Sequence, residues 1–225
     1  GGGGGGRGNN AIKKFSAARG VGDEGGTTGG GDGQFDFPDG VAVASDGSVY
    51  VVDADNYRIQ RFNSEGVFVS KWGLEGGGDG DGEFVWPLGI AVAPDGSVYV
   101  AYPENHCFLK LTSEAVGMVV NPWGTCYKGD REFNYVRGIA VASDGSVYVS
   151  DTENNRIQKF TSEGVFVTKW GSFGLNDGQF DNPIGIAVAS DGSVYVADMY
   201  NHRIQKFLAM SADTPTPPTT AAPMS

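Results

Sequence analysis

The side chains with the chemistry to hold a metal are few: His106 and His202, Cys107 and Cys126, and the alternating carboxylates Asp79, Asp81 and Glu83. A zinc site needs three or four such ligands converging on one point, and two histidines that each follow an Asn in a turn do not supply them. The Asp79-Gly80-Asp81-Gly82-Glu83 run could wrap oxygen around calcium but has no distant bidentate Glu in register. Asp-Gly pairs also occur simply because they turn well. No cofactor is therefore expected, with Asp79, Asp81 and Glu83 kept as the one calcium candidate. Ser45, Ser143 and Ser190 precede Asp-Gly turns, and no nucleophile elbow or His-paired thiol accompanies them. No complete catalytic set is legible.

A second set of charged residues has a different pattern. Asp53 and Arg58, Asp151 and Arg156, and Asp198 and Arg203 are each five apart in sequence. Across a hairpin that spacing brings carboxylate and guanidinium together as a structural bridge, and the planar fork favours a bidentate one. Tyr102 and Cys107 stand where a fourth pair would be, so both members are lost together.

The elements that must position these residues are repeats. GIAVASDGSVYVAD at Gly185 to Asp198 has copies beginning at Gly40, Gly89 and Gly138, so the stretch recurs 49, 49 and 47 residues apart. Each copy holds two short runs of β-branched, aromatic and small residues around an Asp-Gly turn, the signature of a hairpin. Two further strands follow, as in NNRIQKF and VFVTKWG around Thr161-Ser162-Glu163-Gly164. Charge rises along the unit, which orders the strands from a buried axis outward. A period of 40 to 50 residues built only of strands predicts an all-β propeller of four four-stranded antiparallel blades, incomplete or open, since the fourth unit stops after its third strand. Trp72, Trp123 and Trp170 recur at the end of the fourth strands and are expected to pack between blades.

Three regions follow. Residues 1–30 read as a Gly-rich flexible arm, in which Asn9 to Phe15 matches the third-strand motif and Phe15 precedes Phe35 by 20 residues, as Phe160 precedes Phe180. That segment reads as the remnant of an earlier unit whose fourth strand has decayed. Residues 31–208 hold the repeats, and residues 209–225 form a Thr/Pro-rich tail expected to be disordered. The chain begins and ends within a unit and lacks an initiator Met, as a fragment or processed product would. Two cysteines make no disulfide framework.

These spans resemble the NHL repeat family of β-propellers, through FDNPIGIAVASDGSVYVADMYNHRIQKF at Phe180 to Phe207 and its counterparts from Phe35 onward. The resemblance implies a propeller that mostly serves as a scaffold for protein or RNA recognition, as in tripartite-motif ubiquitin ligases and bacterial sensor proteins. A minority of similar propellers are enzymes, among them amidating lyases and lactonase-like proteins. The family usually has more than four blades, which implies an open arc, a small ring, or completion by self-association or another chain.

A net charge of −11 opposes nucleic acid, whose phosphates need a basic docking face; Lys128, Arg131 and Arg137 are the only local basic cluster. No apolar run is long enough to span a bilayer, and no membrane partner is expected. A non-enzymatic scaffold for a protein or peptide is the reading, with a metal-dependent propeller lyase or hydrolase as the alternative. Antiparallel order puts the turn between second and third strands and the connection between units at one end of every blade. There the residues differ most between units, which selects Tyr57, His106, Arg137 and His202 as candidate contacts.

Overall fold

The computed structural model describes residues 10–15, 21–73, 86–103, 107–111, 119–123, 125–126 and 132–208. The candidates His106, Asp79, Asp81 and Glu83, and the tail 209–225, lie outside the described residues. The architecture is all-β, and no helix is long and apolar enough to cross a membrane.

Three four-stranded sheets and one three-stranded sheet follow one another, each meandering antiparallel from its first strand to its last. The first is Pro38–Val43, Val49–Asp53, Arg58–Phe62 and Phe68–Trp72. The second is Ile90–Val92, Val98–Tyr102, Cys107–Leu111 and Val119–Trp123. The third is Val136–Val141, Val147–Asp151, Arg156–Phe160 and Phe166–Trp170. The fourth is Pro183–Val188, Val194–Asp198 and Arg203–Phe207.

Each inner hairpin turns at Gly47, Gly96, Gly145 or Gly192, all with φ between 80 and 84°, a conformation glycine adopts without the Cβ penalty. The preceding Asp locks the turn: Asp46, Asp95, Asp144 and Asp191 accept the N–H of Ser48, Ser97, Ser146 and Ser193 at 2.8–2.9 Å. These bonds from Ser48 and Ser193 hold the Asp46 and Asp191 carboxyls below the usual carboxylate range.

The first strands lie side by side in the order of the sheets, so they line the axis. One apolar cluster fills each gap between consecutive sheets. Tyr50, Val52 and Ile59 of the first pack on Ile90, Val98 and Leu109 of the second; Tyr99, Ala101 and Phe108 meet Phe133, Val149 and Phe160; and Tyr148, Ile157 and Trp170 meet Val194, Val196 and Phe207. The faces at the two ends of the array are open: Val41 and Val43 of the first sheet and Ile204 of the fourth are exposed, whereas Ile139 and Ile157 at the matching places are buried. Among the described residues the four units thus form an open arc.

The inner strands approach so closely that a Cβ on Gly138 would collide with the carbonyl oxygen of Ile184 and come within 2.8 Å of Ser150 Oγ. Gly89 faces the Arg137 carbonyl, and Gly40 that of Leu88, in the same way. Gly138→Ala must push two blades apart and is expected to cost about 1–3 kcal/mol, read as a lower urea midpoint; an unchanged midpoint would show that the axis can yield.

The remnant is a strand. Ile12–Phe15 pairs antiparallel with Val21–Gly25, the stretch read from sequence as a decayed fourth strand. It stands where a preceding blade's outer half would: Ile12 packs on the cluster of Phe35, Val51 and Phe62. Its contacts copy those between the third and fourth sheets. Phe37 N donates to Asn10 Oδ1 at 3.2 Å, as Asn182 N does to Asn155 Oδ1 at 2.9 Å.

Candidate functional site

Two sets of charged and polar residues have to be separated, one that fastens the blades and one that faces solvent. In the first sheet, buried Asp53 accepts from Arg58 Nε at 2.7 Å and Gln60 Nε2 at 3.0 Å through one oxygen. Its other oxygen takes the Asp36 backbone N–H at 2.7 Å, and Asn56 Nδ2 lies 3.0 Å from both. The remaining guanidinium nitrogens donate to the carbonyls of Gly30, Gly31 and Gln34 at 2.7–2.9 Å. Asp151 with Arg156 at 2.6 Å and Asp198 with Arg203 at 2.7 Å repeat the arrangement.

The geometry corrects the bidentate expectation: one Arg nitrogen meets one carboxylate oxygen in each pair. The fork is used instead to grip backbone carbonyls of the incoming connection, acceptors that lie outside the blade sheets. Sequence reading missed the third member of the set, Gln60, Gln158 and Gln205, which bridges the same Asp to the same connection. The signal was present, since a glutamine recurs inside an otherwise apolar strand motif. It also explains the second unit, where Tyr102, Cys107 and Leu109 replace Asp, Arg and Gln together and are buried in the apolar cluster.

The solvent-facing set lies at the end where the second strand turns into the third. A single helical turn, Ala54–Asn56 or Thr152–Asn154, ends in a left-handed residue, Tyr57 or Asn155; His202 has φ 52° at the matching place. Directly before the first strands of the first, third and fourth sheets stand Phe37, Tyr135 and Asn182, with Trp86 four residues ahead of that of the second, also at φ 49–60°. The two places are tied within the first, third and fourth blades: the N–H groups of Asp55, Glu153 and Tyr200 donate to the carbonyls of Asp36, Asn134 and Asp181, each at 3.1 Å. Between blades, the Asn182 N–H donates to Asn155 Oδ1 at 2.9 Å. A belt therefore runs around the arc, alternating a turn residue with the residue that enters the next blade.

Positive φ suits Asn and burdens an aromatic ring, yet three units have Phe37, Trp86 and Tyr135 where the fourth has Asn182. Phe37 is 61 % and Trp86 47 % exposed, and Tyr200 and Met199 continue the apolar rim. Of the sequence candidates, Tyr57 and His202 sit on this belt, His202 exposed and Tyr57 partly so. Arg137 lies partly exposed at the start of its first strand, nearer the axis. Phe37, Trp86, Tyr135 and Tyr200 were not singled out from sequence; for the first three the available signal was an aromatic at a position that one unit fills with Asn.

Asp55 is held above the ordinary carboxylate range, first by burial and then by the neighbouring Asp36 charge. A raised native value means that ionised Asp55 opposes folding at neutral pH, and that this opposition disappears as pH falls through the raised value. Asp55→Asn should therefore raise the melting temperature at pH 7, with the gain vanishing by about pH 3, where the unfolded carboxyl is protonated too. A gain equal at both pH values, in paired thermal scans, would sink this account. Among the described residues no group of three or more His, Cys, Asp or Glu is placed to hold a metal.

Radial blades of antiparallel strands, packed face to face about an axis of inner strands, define a β-propeller. Three of its four units are NHL repeats: that family's pattern matches residues 35–62, 133–160 and 180–207. A comparison with curated protein sequences finds no match. Solved structures share the fold. A streptogramin B lyase aligns at TM-score 0.67 and 17% identity over 96% of this chain. The catalytically inactive virginiamycin B lyase of Staphylococcus aureus with quinupristin aligns at 0.65 and 18% over 95%. The chain spans 63% of the length of each of these lyases. A Bacteroides thetaiotaomicron protein of unknown function aligns at 0.65 and 20%, over 88% of this chain and 54% of its own.

Proposed function

We propose that this propeller is a non-enzymatic recognition module that docks a protein or peptide on the belt end of its blades. The observation that carries the reading is the set of exposed aromatic side chains, Phe37 and Trp86 foremost, held at positive φ on one end of an otherwise uniform scaffold. Strain of about 1–2 kcal/mol per left-handed residue persists where something offsets it, and such residues gather at functional sites. Aromatic rings supply contact area at low entropic cost and anchor interfaces. Tyr57, Arg137 and His202 complete the surface among the described residues.

Capture of partners by the wild-type chain is to be compared with a variant carrying Ala at Phe37, Tyr57, Trp86, Arg137 and His202. Loss of two anchors of about 2 kcal/mol each should weaken capture by at least about a hundredfold. Equal capture by both would remove the face.

A second reading, a propeller lyase, is favoured by the fold match to streptogramin B lyases. Turnover of quinupristin by the chain, dependent on a divalent metal, would support it over the scaffold.

A further inference from the structure

Arg156–Phe160 and Arg203–Phe207 have the same sequence, RIQKF. In the third sheet the outer side of this strand is covered by Phe166–Trp170, with Ile157 opposite Trp170, Lys159 opposite Thr168 and Phe160 opposite Phe166. The first sheet repeats the pairing, with Ile59 opposite Trp72, Arg61 opposite Ser70 and Phe62 opposite Phe68. In the fourth sheet the inner side is paired in the same register as its twin. Among the described residues no strand covers the outer edge. Ile157 is fully buried, while Ile204 is 51 % exposed. The surface that would receive a tryptophan is already built: Lys206 lies 5.5 Å over the Tyr195 ring, as Lys159 lies 5.2 Å over Tyr148, the ring that Trp170 meets at 6.2 Å.

We propose that the outer edge of Arg203–Phe207 is a strand-accepting site that takes, in trans, an extended segment of a partner protein with the pattern Phe-x-Ser/Thr-x-Trp. The segment runs antiparallel, so its backbone pairs with the open edge while alternate side chains are selected. Its Trp covers Ile204 and meets Tyr195, its hydroxyl residue lies opposite Lys206, and its Phe lands beside Phe207. The occupant's chemistry follows from the two strands of this chain that hold the equivalent place, FVSKW and FVTKW. Residues 209–225 include Pro215, Pro217, Pro218 and Pro223, which lack the N–H a ladder needs. The site is on the rim of the fourth sheet and stands independently of the belt.

The test is fluorescence anisotropy of a dye-labelled VFVTKWG peptide titrated with the full chain. Saturable binding is expected, weakened by about tenfold or more when the peptide's Trp becomes Ala, since an aromatic pair and its buried area are lost. Ile204→Glu should weaken it likewise. A chain with TSEGVFVTKWG grafted after Phe207 should not bind, because its edge is filled; circular dichroism checks that both variants fold. Absence of saturable binding, or undiminished binding to the grafted chain, would overturn the proposal. Binding that appears only after removal of residues 209–225 would also overturn it, by showing that the chain's own tail holds the edge.

Discussion

Asp151→Ala unfolds at a distinctly lower urea concentration than the wild-type chain, with a loss of about 3–5 kcal/mol. Asp151 is fully buried and receives Arg156 Nε at 2.6 Å, Gln158 Nε2 at 3.1 Å, Asn154 Nδ2 at 3.0 Å and the Asn134 N–H at 2.8 Å. Removing it leaves a guanidinium inside without its counter-charge, and that uncompensated charge dominates the cost. Arg156→Ala should cost a similar amount. Arg203→Ala should cost less, because the Arg203 side chain is 26 % exposed against 9 % for Arg156, and water can take over part of its role. A loss below about 1 kcal/mol for Asp151→Ala would place the pair among solvated bridges that fasten nothing.

Phe160→Ala is the second large effect, expected at about 3–5 kcal/mol from lost transfer energy plus the cavity left behind. Phe160 contacts Phe108 and Phe133 with ring centroids 5.8 Å from each, and those two rings are 5.6 Å apart. The three come from the second sheet, the connection and the third sheet, so the cavity opens between blades. Unfolding in such an array proceeds through nearest-neighbour interfaces. The variant should therefore lose cooperativity as well as midpoint, the sheets on either side of the cavity separating first. A single transition shifted by under about 1 kcal/mol would mean that the gap collapses without cost.

How much of this was legible beforehand varies by residue. Gly47, Gly96, Gly145 and Gly192 were readable as hairpin turns because a tight turn's demand for positive φ is met within four residues. The Asp–Arg pairs were readable because five-residue spacing closes them across one turn. The carbonyls that the guanidinium actually grips, such as Gly30 and Gly31, lie 27 or 28 residues from Arg58 and belong to the preceding connection. No local pattern could point to them. The belt was half legible: Tyr57, His106 and His202 stood out as varying turn residues, whereas Phe37 and Trp86 looked like ordinary strand entries until their left-handed backbone and exposure were seen.

By itself the sequence determined the strands, their antiparallel order and the turns between them, because period-two alternation and turn chemistry are short-range properties written afresh in each unit. Only the tertiary structure decided which faces are covered. RIQKF occurs twice, and its isoleucine is sealed between sheets at Ile157 but half open at Ile204; the difference is set by whether another blade and a fourth strand stand against it. Likewise Gly138 reads as one more strand-entry glycine, and only the approach of Ile184 from the next blade makes its missing Cβ a requirement. Burial and close approach depend on what lies across the gap, and in a stacked array that partner is tens of residues away.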